Sequence, residues 1–229
     1  GYDQAKILLC LDENNKPVYF NSDLNGFNNE IYNKKNDLLL IGDSYVQGMC
    51  VKNSENFNGQ FKKFNIETTS LGVAGNGPLL EYSTFKEYEA SYSFKKLILF
   101  ITPDNDFYDL SNEMNNQILK NYLSNKNFTQ KLPNKEIKNE KKKILDNYFG
   151  NKAKRFANDF LSIYHFNLKE VGNSFENFFS IKKKITYNYL KNEKVDQIFF
   201  EIINNLNNQL LNKDINFYIV FNSVTPDIL

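Results

Sequence analysis

Apolar positions in this chain fall into two rhythms. Leu38–Ile41 (LLLI), Leu97–Ile101 (LILFI) and Phe217–Phe221 (FYIVF) are unbroken apolar runs without polar alternation. Parallel strands covered by helices on both faces have this pattern. A weaker strand is expected at IETTSLGV (66–73), where the alternation is less clean and a place nearer an edge is expected. Helix-length segments lie between them at 47–63, 79–93 and 196–212. The last has apolar residues at Ile198, Phe199, Ile202, Ile203, Leu206, Leu210 and Leu211, a stripe of helical period. Ahead of these, AKILLCLDENNKPVYFN reads as a hairpin, and SDLNGFNN as a turn-rich connector.

Strands alternating with helices predict an α/β fold, an open, doubly wound and mostly parallel sheet. The expected organisation is a hairpin and connector over 1–36 and an α/β domain over 37–229. Residues 107–195 are too long for an ordinary crossover and read as a mainly helical insertion, with RFANDFLSIYHFNLKEV (155–171) its clearest element. The chain opens on Gly1 rather than Met and stops just past FYIVF. It is therefore expected to be an excerpt of a longer protein that continues into a further strand.

Composition narrows the function classes. Lys+Arg 28 against Asp+Glu 27 gives a formal charge of +1, so there is no general argument for nucleic acid or an anionic membrane. Aromatics reach 15%, all Phe and Tyr, which is ample for a core. No apolar run approaches the roughly 18–20 residues of a membrane span, and no signal peptide is visible; the compartment is not readable. Cys10 and Cys50 have no metal-like spacing, scattered acids accompany a single histidine, and neither a metal site nor a cofactor is expected. The run KEIKNEKKKILDN reads as a solvated helix face.

The polar residues that matter are those just after each strand, because ligands of doubly wound sheets bind outside the carboxyl ends of the strands. Gly42-Asp43-Ser44 comes after the first, LGVAGNGP with Gly72, Gly75 and Gly77 after the second, and Asp104-Asn105-Asp106 after the third. A hydroxyl, a glycine loop and an amide suit acyl transfer: a serine nucleophile needs a positioned base, and the tetrahedral intermediate needs donors aimed at its oxyanion. Ser44 also suits a helix N-cap, the glycines a tight turn before Pro78, and Asn105 a loop cap. GVAGNG is not a dinucleotide fingerprint and GDSYVQG is not a G-x-S-x-G elbow.

These blocks resemble the SGNH, or GDSL-type, hydrolase family over about residues 37–110. LLLIGDSYVQG is similar to the first family block, which implies Ser44 as nucleophile. SLGVAGNGP is similar to the second and implies a backbone donor at Gly75, with Gly72 the other register. FITPDNDFYD is similar to the third and implies the Asn105 side chain as a further oxyanion donor. Asp43 is expected to support the turn through backbone N–H groups. The resemblance implies a flavodoxin-like sheet and a small-molecule or carbohydrate ester, such as the O-acyl groups of a glycan, as substrate. Two departures stand out. Pro103 or Asp104 occupies the place of a usual Gly, and the Asp-x-x-His block that supplies the base does not occur. His165, beside Leu161 and Leu168, is expected to be structural. The expected base is thus a histidine outside this sequence. The alternatives are a catalytically inactive relative that binds a glycan or a protein, and a domain whose loops cradle a phosphate.

Overall fold

The computed structural model of the protein describes residues 6–11, 16–29, 32–134, 136, 138–140, 143–144 and 193–222. Two sheets are present among them. Strands β1 (Lys6–Leu11) and β2 (Pro17–Asn21) form an antiparallel hairpin. Strands β3 (Leu38–Ile41), β4 (Thr68–Ser70), β5 (Lys96–Ile101) and β6 (Asn216–Phe221) form a parallel sheet in the order β4-β3-β5-β6. The weak strand is indeed an edge, three residues long, and the apolar run LLLI is central and wholly buried.

Helices cover both faces. Leu39, Ile41, Leu97, Leu99 and Ile101 point into the main core beneath α3 (Pro78–Tyr88), α4 (Pro103–Glu113), α5 (Gln117–Ser124) and α6 (Glu193–Leu211). On α6, Val195, Phe199, Ile202, Leu206 and Leu210 are the buried stripe, the periodicity that the sequence displays. The opposite face carries Leu38 and Leu40, packed with Val46 and the half-buried Phe57 and Phe61. Successive strand residues alternate between these two cores, which is why an unbroken apolar run is needed at β3.

Three expectations are corrected. The segment 47–63 is not one helix: α1 (Ser44–Gln47) and α2 (Phe57–Lys62) are separate. Gly48 ends α1 at φ +72°, a left-handed conformation that glycine adopts without a Cβ clash, and its N–H bonds the carbonyls of Ser44 and Tyr45. Asn56 starts α2 anew by accepting the Gly59 N–H. Second, β6 is an edge strand among the described residues, with Tyr218, Val220 and Phe221 exposed, so its apolar run is not buried on both faces. Third, α4 begins at Pro103, so the expected insertion boundary at 107 falls inside a helix. The 155–171 element and His165 lie outside the described residues. No helix among the described residues is long and apolar enough to cross a membrane.

Candidate functional site

The strand order places one point of reversal. From β3 the chain moves outward to β4, then returns past β3 to β5 and on to β6. The crevice outside the carboxyl ends of β3 and β5 is where ligands bind in sheets of this kind. Ser44 comes after β3 and Asn105 after β5, so the topology sets them on the two sides of that crevice.

Asp43 joins them. It is the N-cap of α1, 2% exposed, and its Oδ1 accepts the backbone N–H of Tyr45 at 3.1 Å. Its Oδ2 accepts the Ser44 hydroxyl at 3.2 Å and the Asn105 amide Nδ2 at 3.1 Å. Asn105 Nδ2 also donates to Asp106 Oδ1 at 3.2 Å. The carboxylate therefore orients the turn, the hydroxyl and the amide together. The amide's donor nitrogen is thus held between two acids, and one of those bonds must open before it can donate elsewhere.

The glycine loop packs beside α1 rather than on the same carboxylate. Ala74 N–H donates to Gln47 Oε1 at 2.9 Å, and Val73 N–H to the Gly42 carbonyl at 3.3 Å. Gly72 is buried against the α1 backbone; a Cβ there would lie 2.3 Å from Gln47 N, so no other residue fits this approach. Gly75 is exposed at φ +81°, with open space where a side chain would stand. The connector holds both this helix and β4: Asn28 Nδ2 donates to the Gln47 carbonyl at 2.7 Å, and Asn29 bonds both the N–H and the carbonyl of Ser70.

Beneath the crevice lies a group of buried acids whose clustering the sequence reading did not anticipate. Asp106 is fully buried; desolvation pushes its carboxyl up to about 8, with neighbouring Asp43, Asp109 and Glu113 adding to the effect and the Thr102 N–H, 2.6 Å from Oδ2, opposing it. Glu113 is pushed up to about 7 by desolvation, against the N–H groups of Gly77, Leu80 and Leu79 that it accepts at the start of α3. Glu81 is raised well above its ordinary value by burial and then by Asp106, Asp43, Glu113 and Asp109. Neither of its carboxyl oxygens has a hydrogen-bond partner among the described residues. A signal for these acids was available: Asp106, Leu110 and Glu113 share one buried stripe of α4 at helical spacing, and Glu81 stands one turn before the buried Phe85. No group of three or more His, Cys, Asp or Glu among the described residues is arranged to hold a metal ion.

Comparisons with protein-family models, curated proteins and solved structures return no match to this chain. The local chemistry nevertheless has a direction. A hydroxyl at a helix N-terminus, an amide beside it and a set of acids with raised pKa values are grouped at one crevice. Such perturbed groups concentrate at functional sites.

Proposed function

We propose that this chain is the serine-bearing domain of an esterase or acyl transferase of SGNH type, on a doubly wound, flavodoxin-like sheet. The observation that carries the reading is the Ser44–Asp43–Asn105 group spanning the carboxyl ends of β3 and β5. Ser44 attacks the ester carbonyl, and its own N–H, the Gly75 N–H and the Asn105 amide receive the oxyanion. Release of Asn105 from Asp106 is eased because a neutral acid holds a donor less strongly than a carboxylate. The proton acceptor required is a histidine outside this sequence. The substrate is a small-molecule or carbohydrate ester.

A second reading, an SGNH-like domain that binds a glycan or a protein without turnover, is favoured by one feature. Ser44 donates to Asp43, and Asn105 is engaged by two acids. Ester hydrolysis by the full chain, with Ser44→Ala and Asn105→Ala beside it, separates the two. The first reading expects Ser44→Ala to lower kcat by about 10³-fold or more and Asn105→Ala by about 10²–10³-fold. Hydrolysis unaffected by Ser44→Ala sinks it; absence of both hydrolysis and fluorophosphonate labelling of Ser44 selects the second.

A further inference from the structure

The one-turn helix carrying Ser44 leaves a short apolar segment in the open. Tyr45 is 46% exposed, Met49 41% and Val51 36%, three large apolar side chains within seven residues. With Phe57 at the start of α2 they line a groove of about 510 Å³, and Ser44 itself forms part of its wall. Ligand pockets run from about 300 to 1,000 Å³ and are mainly apolar with a few polar groups. The polar members here are neutral amides, Asn56 and Gln60, together with the acid Glu55; no Lys or Arg among the described residues lines the groove. A phosphate or carboxylate would meet no cation from them.

The segment is also held in place. Cys50, between Met49 and Val51, forms a disulfide with Cys10 of β1, their Cα atoms 5.5 Å apart. Asn56, which caps α2, packs against Gly48: a Cβ on Gly48 would stand 2.7 Å from the Asn56 Cβ. A backbone segment tied in advance beside a groove has less freedom to lose when a ligand arrives.

We infer that this groove receives an uncharged, medium-length alkyl chain of the ester that Ser44 handles. The identity of the ligand as an ester rests on the proposed function; the groove's affinity for an alkyl chain does not. The test uses the full, oxidised chain and titrates it with acetamide, butanamide, hexanamide and octanamide, and with octanoate. Affinity is expected to rise about three- to four-fold per methylene, octanoate to bind more weakly than octanamide, and Val51→Asp or Met49→Asp to weaken octanamide binding at least ten-fold. Phe64→Asp, at an apolar residue 74% exposed and outside the groove, leaves binding unchanged. Affinity independent of chain length, or lost equally with Phe64→Asp, overturns the inference. Hydrolysis of p-nitrophenyl acetate and octanoate by the same protein and by Ser44→Ala tells the two failures apart. Length-dependent binding without Ser44-dependent turnover leaves the groove and removes the esterase. Ser44-dependent turnover equal for both esters, with flat amide binding, does the reverse.

Discussion

Glu81 and Glu87 lie on the same helix, α3, fewer than two turns apart, and both are buried, yet they meet opposite surroundings. Glu87 is a hub. Its Oε1 accepts the Tyr122 hydroxyl at 2.6 Å and the Gln130 N–H at 2.6 Å, and its Oε2 accepts the Leu132 N–H at 2.8 Å. Burial alone pushes its pKa up, but Tyr122 and the N–H groups of Leu132 and Gln130 outweigh burial and leave it below the ordinary value. Among the described residues Glu81 has no such partners and sits among Asp106, Asp43, Glu113 and Asp109, so burial and like charge act together to raise it. The contrast separates acids that hold the fold together from acids that do not. At the far end of α3 an acid fastens the irregular chain over 129–132. At the crevice end Glu81 is buried without a hydrogen-bond partner among the described residues, whereas its neighbours Glu113 and Asp106 accept backbone N–H groups at the starts of α3 and α4.

The largest effect should come from the hub. Glu87→Ala leaves the Tyr122 hydroxyl and two backbone N–H groups without their acceptor, and each such loss costs about 1–3 kcal/mol. Stability to urea is expected to fall by about 3–4 kcal/mol, with Glu87→Gln milder because one oxygen remains. A loss below about 1 kcal/mol would show that water replaces the carboxylate and that the contrast between the two ends is false.

Glu81 should respond with the other sign. Replacing an unpartnered buried acid by an apolar residue of similar volume is often neutral or stabilising. Glu81→Leu is expected to gain about 1–2 kcal/mol at pH 8 and less at pH 5, because an acid whose folded pKa is raised loses its contribution to stability as pH rises. If the protein is stabilised while Ser44-dependent turnover falls, the acid belongs to the site's working state. If it is destabilised by more than about 1 kcal/mol, Glu81 has a structural partner.

The reach of the sequence divides along the same line. The parallel strands were legible because burial on two faces demands unbroken apolar runs, as at LLLI, although the same kind of run at β6 lies on an exposed edge. The loops carrying Ser44, Gly75 and Asn105 were legible because a parallel topology gathers the loops after its strands at one edge of the sheet. That Asp43 holds both Ser44 and Asn105 was not, since a capping acid looks the same whether it accepts one donor or several. The break between α1 and α2 is written in Gly48 and Asn56, two ordinary residues whose capping roles depend on the surrounding packing. Pairing of Cys10 with Cys50 across 40 residues could not be read from spacing. Asp106 and Glu113 escaped because acids are taken as solvated unless their helical spacing is compared with the apolar stripe they interrupt.

At a single pH Asp106 gives an effect no larger than that of Glu81, but the sharpest change of sign with pH. Its carboxyl titrates near 3.8 in the unfolded chain and at about 8 in the folded one. Between those values the folded state binds more protons than the unfolded state, so its contribution to stability is full below about 4 and is lost as pH rises to about 8. Glu87, whose folded pKa is lowered, contributes in the opposite sense, above its unfolded value and not below its folded one. Asp106→Asn removes the titration but sets an NH₂ group against either the Thr102 N–H or the Asn105 amide. The variant is therefore expected to be destabilised at pH 5 by about 1–2 kcal/mol, and to approach or exceed the parent at pH 8, where the parent holds a buried charge. Urea midpoints from pH 4.5 to 8.5 measure this directly. A parallel pair of curves would mean that Asp106 is charged throughout, so that Asn105 is held by two carboxylates at neutral pH. The amide would then be poorly placed to turn toward an oxyanion, and the non-catalytic reading of the site would gain what the esterase reading lost.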